Sequence, residues 1–311
     1  MLESLLNSKK CFKLILGAGN QDLDEIEKII YTYSKSGCVF FDIADDINVL
    51  NLTKDVLKKT NMLNETSICV STTVFGDVHS DKIIIDNKKC ISCKKCISSC
   101  PNEAIYFENE IKTDLKKCIG CKKCPSSCPV NAISFKSSAK KDFEDFKNNI
   151  NNLIENKIDC IELHINGDDI DEIYQKWEYL NNNFNGFLSI CTSRNKFKDE
   201  TNLKIVSDLI KMKKNSKVII QADGKSMSGF NDELESNYEA LKCAQFFNQI
   251  NLKKYVIISG GTNSKAFKAA KNLNIDINGV ALGSFARKII KNKNEKEALE
   301  IAKNLVDTLL K

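Results

Sequence analysis

Eight of the fourteen cysteines crowd between Cys90 and Cys128. They form two sets with one spacing, C-x2-C-x2-C-x3-C-P: Cys90, Cys93, Cys96 and Cys100, then Cys118, Cys121, Cys124 and Cys128. Thiolates are soft donors, so a dense run of them with no histidine interposed suits iron–sulfur chemistry or zinc. Zinc sites usually draw on two C-x2-C pairs set far apart. Three cysteines at a spacing of three instead let one tight loop reach three irons of a cube, while the fourth, before proline, turns away. The spacing predicts iron–sulfur clusters over zinc. The other six cysteines are dispersed. Cys38, Cys69, Cys160 and Cys191 fall in apolar runs and read as small buried hydrophobes. This is not the pattern of a small secreted disulfide domain, and it points to a reducing, cytoplasmic location.

The cysteine sets belong to a duplication. Residues 88–107 and 116–135 agree at 15 of 20 positions, and Pro101, Pro125 and Pro129, the whole proline content of the chain, lie within them. The doubled motif resembles the bacterial two-cluster ferredoxin over about 50 residues. The resemblance implies crossed ligation of two [4Fe–4S] clusters, one on Cys90, Cys93, Cys96 and Cys128 and the other on Cys118, Cys121, Cys124 and Cys100. Residues 80–136 hold eleven lysines against six acids and the remainder is neutral, so the formal charge of +5 resides in this segment. Two oxidised cubes of about −2 each would cancel most of it. The lysines then serve as local compensation or as a docking face for an acidic redox partner. No aromatic residues interleave with them as nucleic-acid binding would want, so nucleic acid is not expected.

Something must position this segment, and the rest of the chain supplies a regular scaffold. Short runs rich in Val, Ile and Phe at 12–17, 38–44, 67–74, 159–165, 187–192, 217–223, 255–260 and 277–283 read as strands. Helical periodicity follows each, at 22–35, 47–60, 140–156, 169–184, 200–213, 233–249, 264–272 and 295–310. In the first, Leu23, Ile26, Ile29, Ile30 and Tyr33 share one face. The interval between the third and fourth strands is normal only once residues 80–136 are removed. The expected fold is therefore α/β, a (βα)8 TIM-type barrel of residues 1–79 and 137–311 with a ferredoxin-type domain, 80–136, inserted after strand three. A doubly wound open sheet is the alternative.

Barrel sites form at the C-terminal ends of the strands. Lys13, Asp42, Glu162, His164, Gln221 and Asp223 interrupt otherwise apolar strands and should point inward, since charge in the sheet–helix layer is costly. They would make either a mouth site or an internal network of Lys13 with Asp42 or Glu162. His79 lies in a loop and reads as incidental. Gly260, Gly261 and Thr262 after strand seven, and Gly283 and Ser284 after strand eight, occupy the usual phosphate-binding loops of such barrels, and a phosphate or FMN could sit there. The polar loop from Asp223 to Gly229 reads as a lid or a long connection.

Six segments, FKLILGAGNQ, FFDIADD, IELHING, QADGKSMSG, ISGGTN and GVALGSFARK, together with the doubled cysteine motif, resemble the light-dependent-period A (LdpA) family of cyanobacteria over nearly the whole chain. That resemblance implies an iron–sulfur redox protein that passes light-dependent redox state to the circadian clock, with clock-input proteins among its partners. It supplies no catalytic residue. Two functions thus stand side by side: a non-enzymatic redox sensor or electron carrier, and an FMN- or phosphate-ligand-binding oxidoreductase fed by its own clusters. No run approaches 18 uncharged apolar residues, so no transmembrane segment is expected, and the acidic N-terminal stretch lacks the apolar core of a signal peptide.

Overall fold

The computed structural model describes residues 1–77, 81–136, 142–224 and 232–310. His79, the loop residues 225–229 and the expected domain edges at 80 and 137 lie outside these. The elements run α1 (Leu2–Asn7), β1 (Cys11–Ile15), α2 (Leu23–Lys35), β2 (Phe40–Ala44), α3 (Ile47–Lys59), β3 (Ser67–Thr73), β4 (Lys82–Ile85), α4 (Lys95–Ser99), β5 (Ile105–Glu108), β6 (Glu110–Thr113), β7 (Ile133–Lys136), α5 (Phe143–Glu155), β8 (Cys160–His164), α6 (Ile170–Asn183), β9 (Phe187–Thr192), α7 (Asp199–Met212), β10 (Val218–Asp223), α8 (Tyr238–Asn248), β11 (Tyr255–Ser259), α9 (Ala266–Asn272), β12 (Gly279–Leu282), α10 (Ser284–Ile290) and α11 (Glu295–Leu310). β1–β3 and β8–β12 close a parallel barrel, each pairing with its neighbour in the chain, and β12 returns to β1. The eight-unit expectation holds, and the open sheet does not.

Local chemistry explains the elements. The four turns into α2, α3, α5 and α6 end on Asp22, Asp46, Asp142 and Asp169, whose carboxylates accept from backbone N–H groups of the first turn. Ile26, Ile29, Ile30 and Tyr33 of α2 are buried, whereas Leu23, one turn earlier, is 41% exposed. Two helices of the barrel escaped the periodicity. α1 lays Leu2 and Leu6 against the lower end of the barrel interior, with Cys11, Phe40, Cys69 and Cys160. α10 follows Gly283 directly, so the stretch after strand eight is one glycine and a short helix. Both are under eight residues, where an apolar period is weak.

Strand alternation separates two apolar layers. Phe12 and Leu14, Ile161 and Leu163, and Val218 and Ile220 face the helices. Their neighbours Lys13, Glu162 and Gln221 face inward, and the middle of the barrel is filled by hydrogen bonds. Lys13 Nζ lies 2.8 Å from Asp42 Oδ2, 2.7 Å from Glu162 Oε2 and 2.9 Å from Gln221 Oε1. Ser189 donates to Glu162 Oε2 and Gln221 Nε2 to Glu162 Oε1, each at 2.7 Å, and Ser71 donates to Asp42. Lys13 is 1% exposed and Glu162 0%. Burial would push the Glu162 carboxyl up, but Lys13 and then His164 hold it well below the usual range, so it stays ionised. Lys13 thus stands in a closed network with both acids.

The inserted segment leaves and re-enters at one place. β3 pairs directly with β8, Cys69 opposite Cys160, so the barrel closes across the insertion. β4 pairs antiparallel with β7, which sets Lys82 opposite Lys136 at the two ends of the module. Residues 80–136 should therefore be replaceable by a short Gly/Ser linker with a folded barrel retained, checked by circular dichroism and a cooperative melt. The network makes a second expectation. Lys13→Met removes the cation that two buried carboxylates share and should cost about 3–5 kcal/mol. Ser189→Ala, which deletes one neutral donor, should cost about 1 kcal/mol in the same denaturant series.

Candidate functional site

The module carries its repeat into three dimensions. Ser92, Lys94 and Glu103 adopt left-handed backbone, and so do Gly120, Lys122 and Asn131, each 28 positions later. These bends fold each cysteine run into a tight loop. β4 and β6 are likewise 28 apart, as are β5 and β7, so the structural unit begins earlier than the strongest sequence identity. β4 pairs with β7 and β5 with β6, which is the pairing of a pseudo-twofold. Ser99 and Ser127, equivalent residues, hydrogen-bond to each other at 2.8 Å across that axis.

The eight thiols gather four by four. Burial pushes the Cys96 thiol up, and the neighbouring thiols of Cys90, Cys93 and Cys128 add to it. Burial and then Cys121, with Cys100 and Cys118, push Cys124 up to about 12. Four such thiols cannot ionise together unless a cationic centre shares their charge. Ala104 N–H donates to Cys100 Sγ and Ala132 N–H to Cys128 Sγ, each at 3.3 Å, and the latter contact leads in holding Cys128 below its ordinary value. Ile83, Ala104, Ile105, Ile111 and Ile133 form an apolar shell around the thiols. Converging sulfurs, backbone donors to sulfur and a dry shell fit an iron–sulfur cube. No disulfide joins cysteines among the described residues.

Docking on the barrel breaks the symmetry. Ile119 follows Cys118 and is 9% exposed, while its equivalent Ile91, after Cys90, is 61% exposed. Gln21 N–H donates to Lys116 O at 3.2 Å. Lys82 Nζ bridges Gly19 O at 2.9 Å and Cys118 O at 2.6 Å. Lys291 reaches Glu103 at 2.7 Å and Pro101 O at 3.0 Å. The thiols of Cys118, Cys121, Cys124 and Cys100 thus face the barrel, and the exposed Cys93 marks the outward group.

Between that docked loop and the strand ends lies a cavity of about 750 Å³, counting its open mouth. Its floor is the upper side of the interior network, with Asp42, Glu162, His164 and Asp223 in the lining, whereas Lys13 is beneath it. His164 Nε2 lies 3.3 Å from Glu162 Oε1. Burial opposes charging the imidazole, but Cys191 and Glu162 beside it hold its pKa above the ordinary value. Gly260, Gly261, Thr262, Gly283 and Ser284 all line the wall. Gly260 has φ +72°, and a Cβ there would fall 2.1 Å from Asp223 Oδ1, so glycine is required. Thr262 Oγ1 donates inward to Ala281 O at 2.6 Å.

Sequence reasoning passed over much of the wall, including Gly17, Ala18 and Gly19 after β1, Ile119 and Arg287. Arg287 Nη1 donates to Leu16 O at 3.2 Å, and its Nε is buried without a hydrogen-bond partner among the described residues. Burial lowers its pKa, opposed by Glu25 and Cys121, and the guanidinium, among the strongest bases of any side chain, remains a cation. Its rarity was visible, since Arg194 is the other arginine of the chain, but no local pattern says where it points.

Comparison with known proteins fits this architecture. Residues 83–135 match the family model of a 4Fe-4S dicluster domain. No curated protein matches the chain. Among solved structures, a mutant tryptophan synthase α-subunit from Pyrococcus furiosus is similar at TM-score 0.52 and 14% identity, covering 97% of this chain and 98% of that one. The α-subunit in the α2β2 complex of the same organism gives TM-score 0.51 and 14% identity with the same coverage. At that identity the likeness shows the barrel fold alone. No helix among the described residues is long and apolar enough to cross a membrane. Residues 152–308, just over half of the chain, match the light dependent period A C-terminal domain; the chain belongs to the light dependent period A family and is an iron–sulfur protein of that type.

Proposed function

We propose that the protein is a cytoplasmic redox sensor and electron carrier, conveying light-dependent redox state towards the circadian clock as its family resemblance implies. In this reading residues 80–136 are a discrete module with two [4Fe–4S] clusters. Cys90, Cys93, Cys96 and Cys128 hold the outward cluster, and Cys118, Cys121, Cys124 and Cys100 hold the one facing the barrel. The observation that carries the reading is the gathering of thiols into these two groups, one exposed to partners and one turned to a cavity. An electron would enter at the outward loop, where Ile91 is exposed, and pass to the inner cluster. Lysines around the outward loop suit an acidic redox partner.

A second reading, an oxidoreductase with FMN or a phosphorylated ligand at Gly260, Gly261, Thr262, Gly283 and Ser284, is favoured by the cavity those residues share with the inner loop. Here the barrel would hold the acceptor and the clusters would feed it. Lys13, Asp42, Glu162 and Asp223 would then shape the floor instead of reacting, because the first three are already engaged with one another.

Two measurements test these readings. Anaerobic analysis should find about eight irons and eight sulfides per chain. Cys100→Ala should remove the cluster of Cys118, Cys121 and Cys124 and spare that of Cys90; loss confined to the Cys90 cluster would refute the crossed assignment. The visible spectrum of the purified protein separates carrier from flavoenzyme. Clusters alone give a broad shoulder, whereas FMN adds structured bands and fluorescence released on denaturation.

A further inference from the structure

The mouth cavity continues into a second cleft of about 640 Å³, and Ile119, Ser284 and Arg287 line both. The second cleft adds Lys288 and Lys291, with Glu25 as the acid among them. Its chemistry differs from that of the floor. Glu162 and Asp42 below are matched by Lys13, and Lys291 above is engaged by Glu103. Arg287 is not matched in that way: its buried Nε has no acceptor, and leaving such a donor unfilled is costly. Glu25 and the Cys121 thiol are both near enough to act on its charge. In the same cavity, Gly260 and Gly261 leave part of the wall without side chains, which allows close approach of a ligand to the backbone.

We propose that this cavity binds a phosphate-bearing small molecule, with the phosphate on the Arg287 guanidinium beside the 260–261 turn, and that the bound anion sets the reduction potential of the cluster held by Cys118, Cys121, Cys124 and Cys100. The second half rests on the two-cluster reading above. A planar guanidinium with a free edge suits a phosphate better than it suits a carbonyl or a hydroxyl. Each cube accepts one electron, and the added negative charge repels an anion nearby. Binding and reduction therefore oppose each other reciprocally. If reduction weakens phosphate tenfold, phosphate lowers that cluster's potential by about 59 mV, the one-electron equivalent. The outward cluster, on the far side of the pseudo-twofold, keeps its potential.

The test uses the full chain reconstituted anaerobically, with iron and sulfide counted first. Potentials of both clusters are followed by electron paramagnetic resonance in inorganic phosphate and in chloride at equal ionic strength, and phosphate binding is measured on the same oxidised protein by calorimetry. One potential should fall in phosphate by the equivalent of about tenfold or more, and the other should hold. Arg287→Gln should weaken phosphate at least about tenfold and abolish the shift. Ser284→Asp repels the anion from the same wall, and an acid in a helix's first turn should not harm folding, so it keeps the test informative if Arg287→Gln fails to fold. FMN run in parallel identifies a flavin phosphate if it reproduces the shift, and a smaller phosphorylated molecule if it does not. Equal shifts of both clusters, no shift at saturating phosphate, or a response surviving both substitutions would overturn the proposal. An iron count below two cubes would sink the cluster reading instead, and the calorimetry would still decide the anion site.

Discussion

The barrel closes through β3 and β8, and that pairing governs everything above it. Because Cys69 meets Cys160 directly, the residues between the two strands cannot lie within the sheet and must emerge at its C-terminal rim. The β4–β7 pairing then draws the two ends of the module together, so it enters and leaves as one stalk. Two antiparallel residues opposite each other are about 5 Å apart, which is a short tether. A cysteine module thus becomes the wall of a cavity by topology, before any side-chain contact is counted.

The tether leaves orientation open, and polar contacts choose it. The module is nearly symmetric, so either cysteine loop could have faced the barrel. The side chains of Lys82 and Lys291 and the carbonyl of Lys116 tie the inner side to the barrel, and Ile119 takes the buried position that Ile91 lacks. Among the module's lysines, Lys82 is spent on carbonyls and Lys117 on Asp22 at this joint. Duplication built two equal cysteine loops, and docking made them unequal, one exposed and one against a cavity.

Inside the barrel, charge takes the place of an apolar middle layer. Lys13 sits over the Phe40 ring and reaches two carboxylates, with Ser189 and Gln221 meeting the remaining lone pairs. Satisfied in this way, buried charges fix one arrangement of strands at an energetic cost that a hydrophobic layer would not incur. The upper side of this network is the cavity floor. The residues that hold the barrel together therefore also shape whatever enters from above, and on the wall the Nε of Arg287 is left without an acceptor among the described residues.

Sequence alone determined the periodic features. Short continuous apolar runs, each followed by a near-3.6 apolar period, located the eight strand–helix units, because both faces of a parallel barrel strand and one face of its helix must be buried. The cysteine spacing, doubled 28 residues apart, determined an iron–sulfur module, because thiol placement on a tight loop is a local property. The polar strand residues Lys13, Asp42 and Glu162 could be recognised as inward-facing from the cost of charge against the helices. Tertiary structure decided what depends on distance. The partners of Lys13 lie on strands far apart in sequence, and no pattern could say that it meets both acids. The helices α1 and α10 are shorter than two turns, where an apolar period is weak. Arg287 and Ile119 gain their significance from a docking contact between segments over 160 residues apart, where local propensity carries no information.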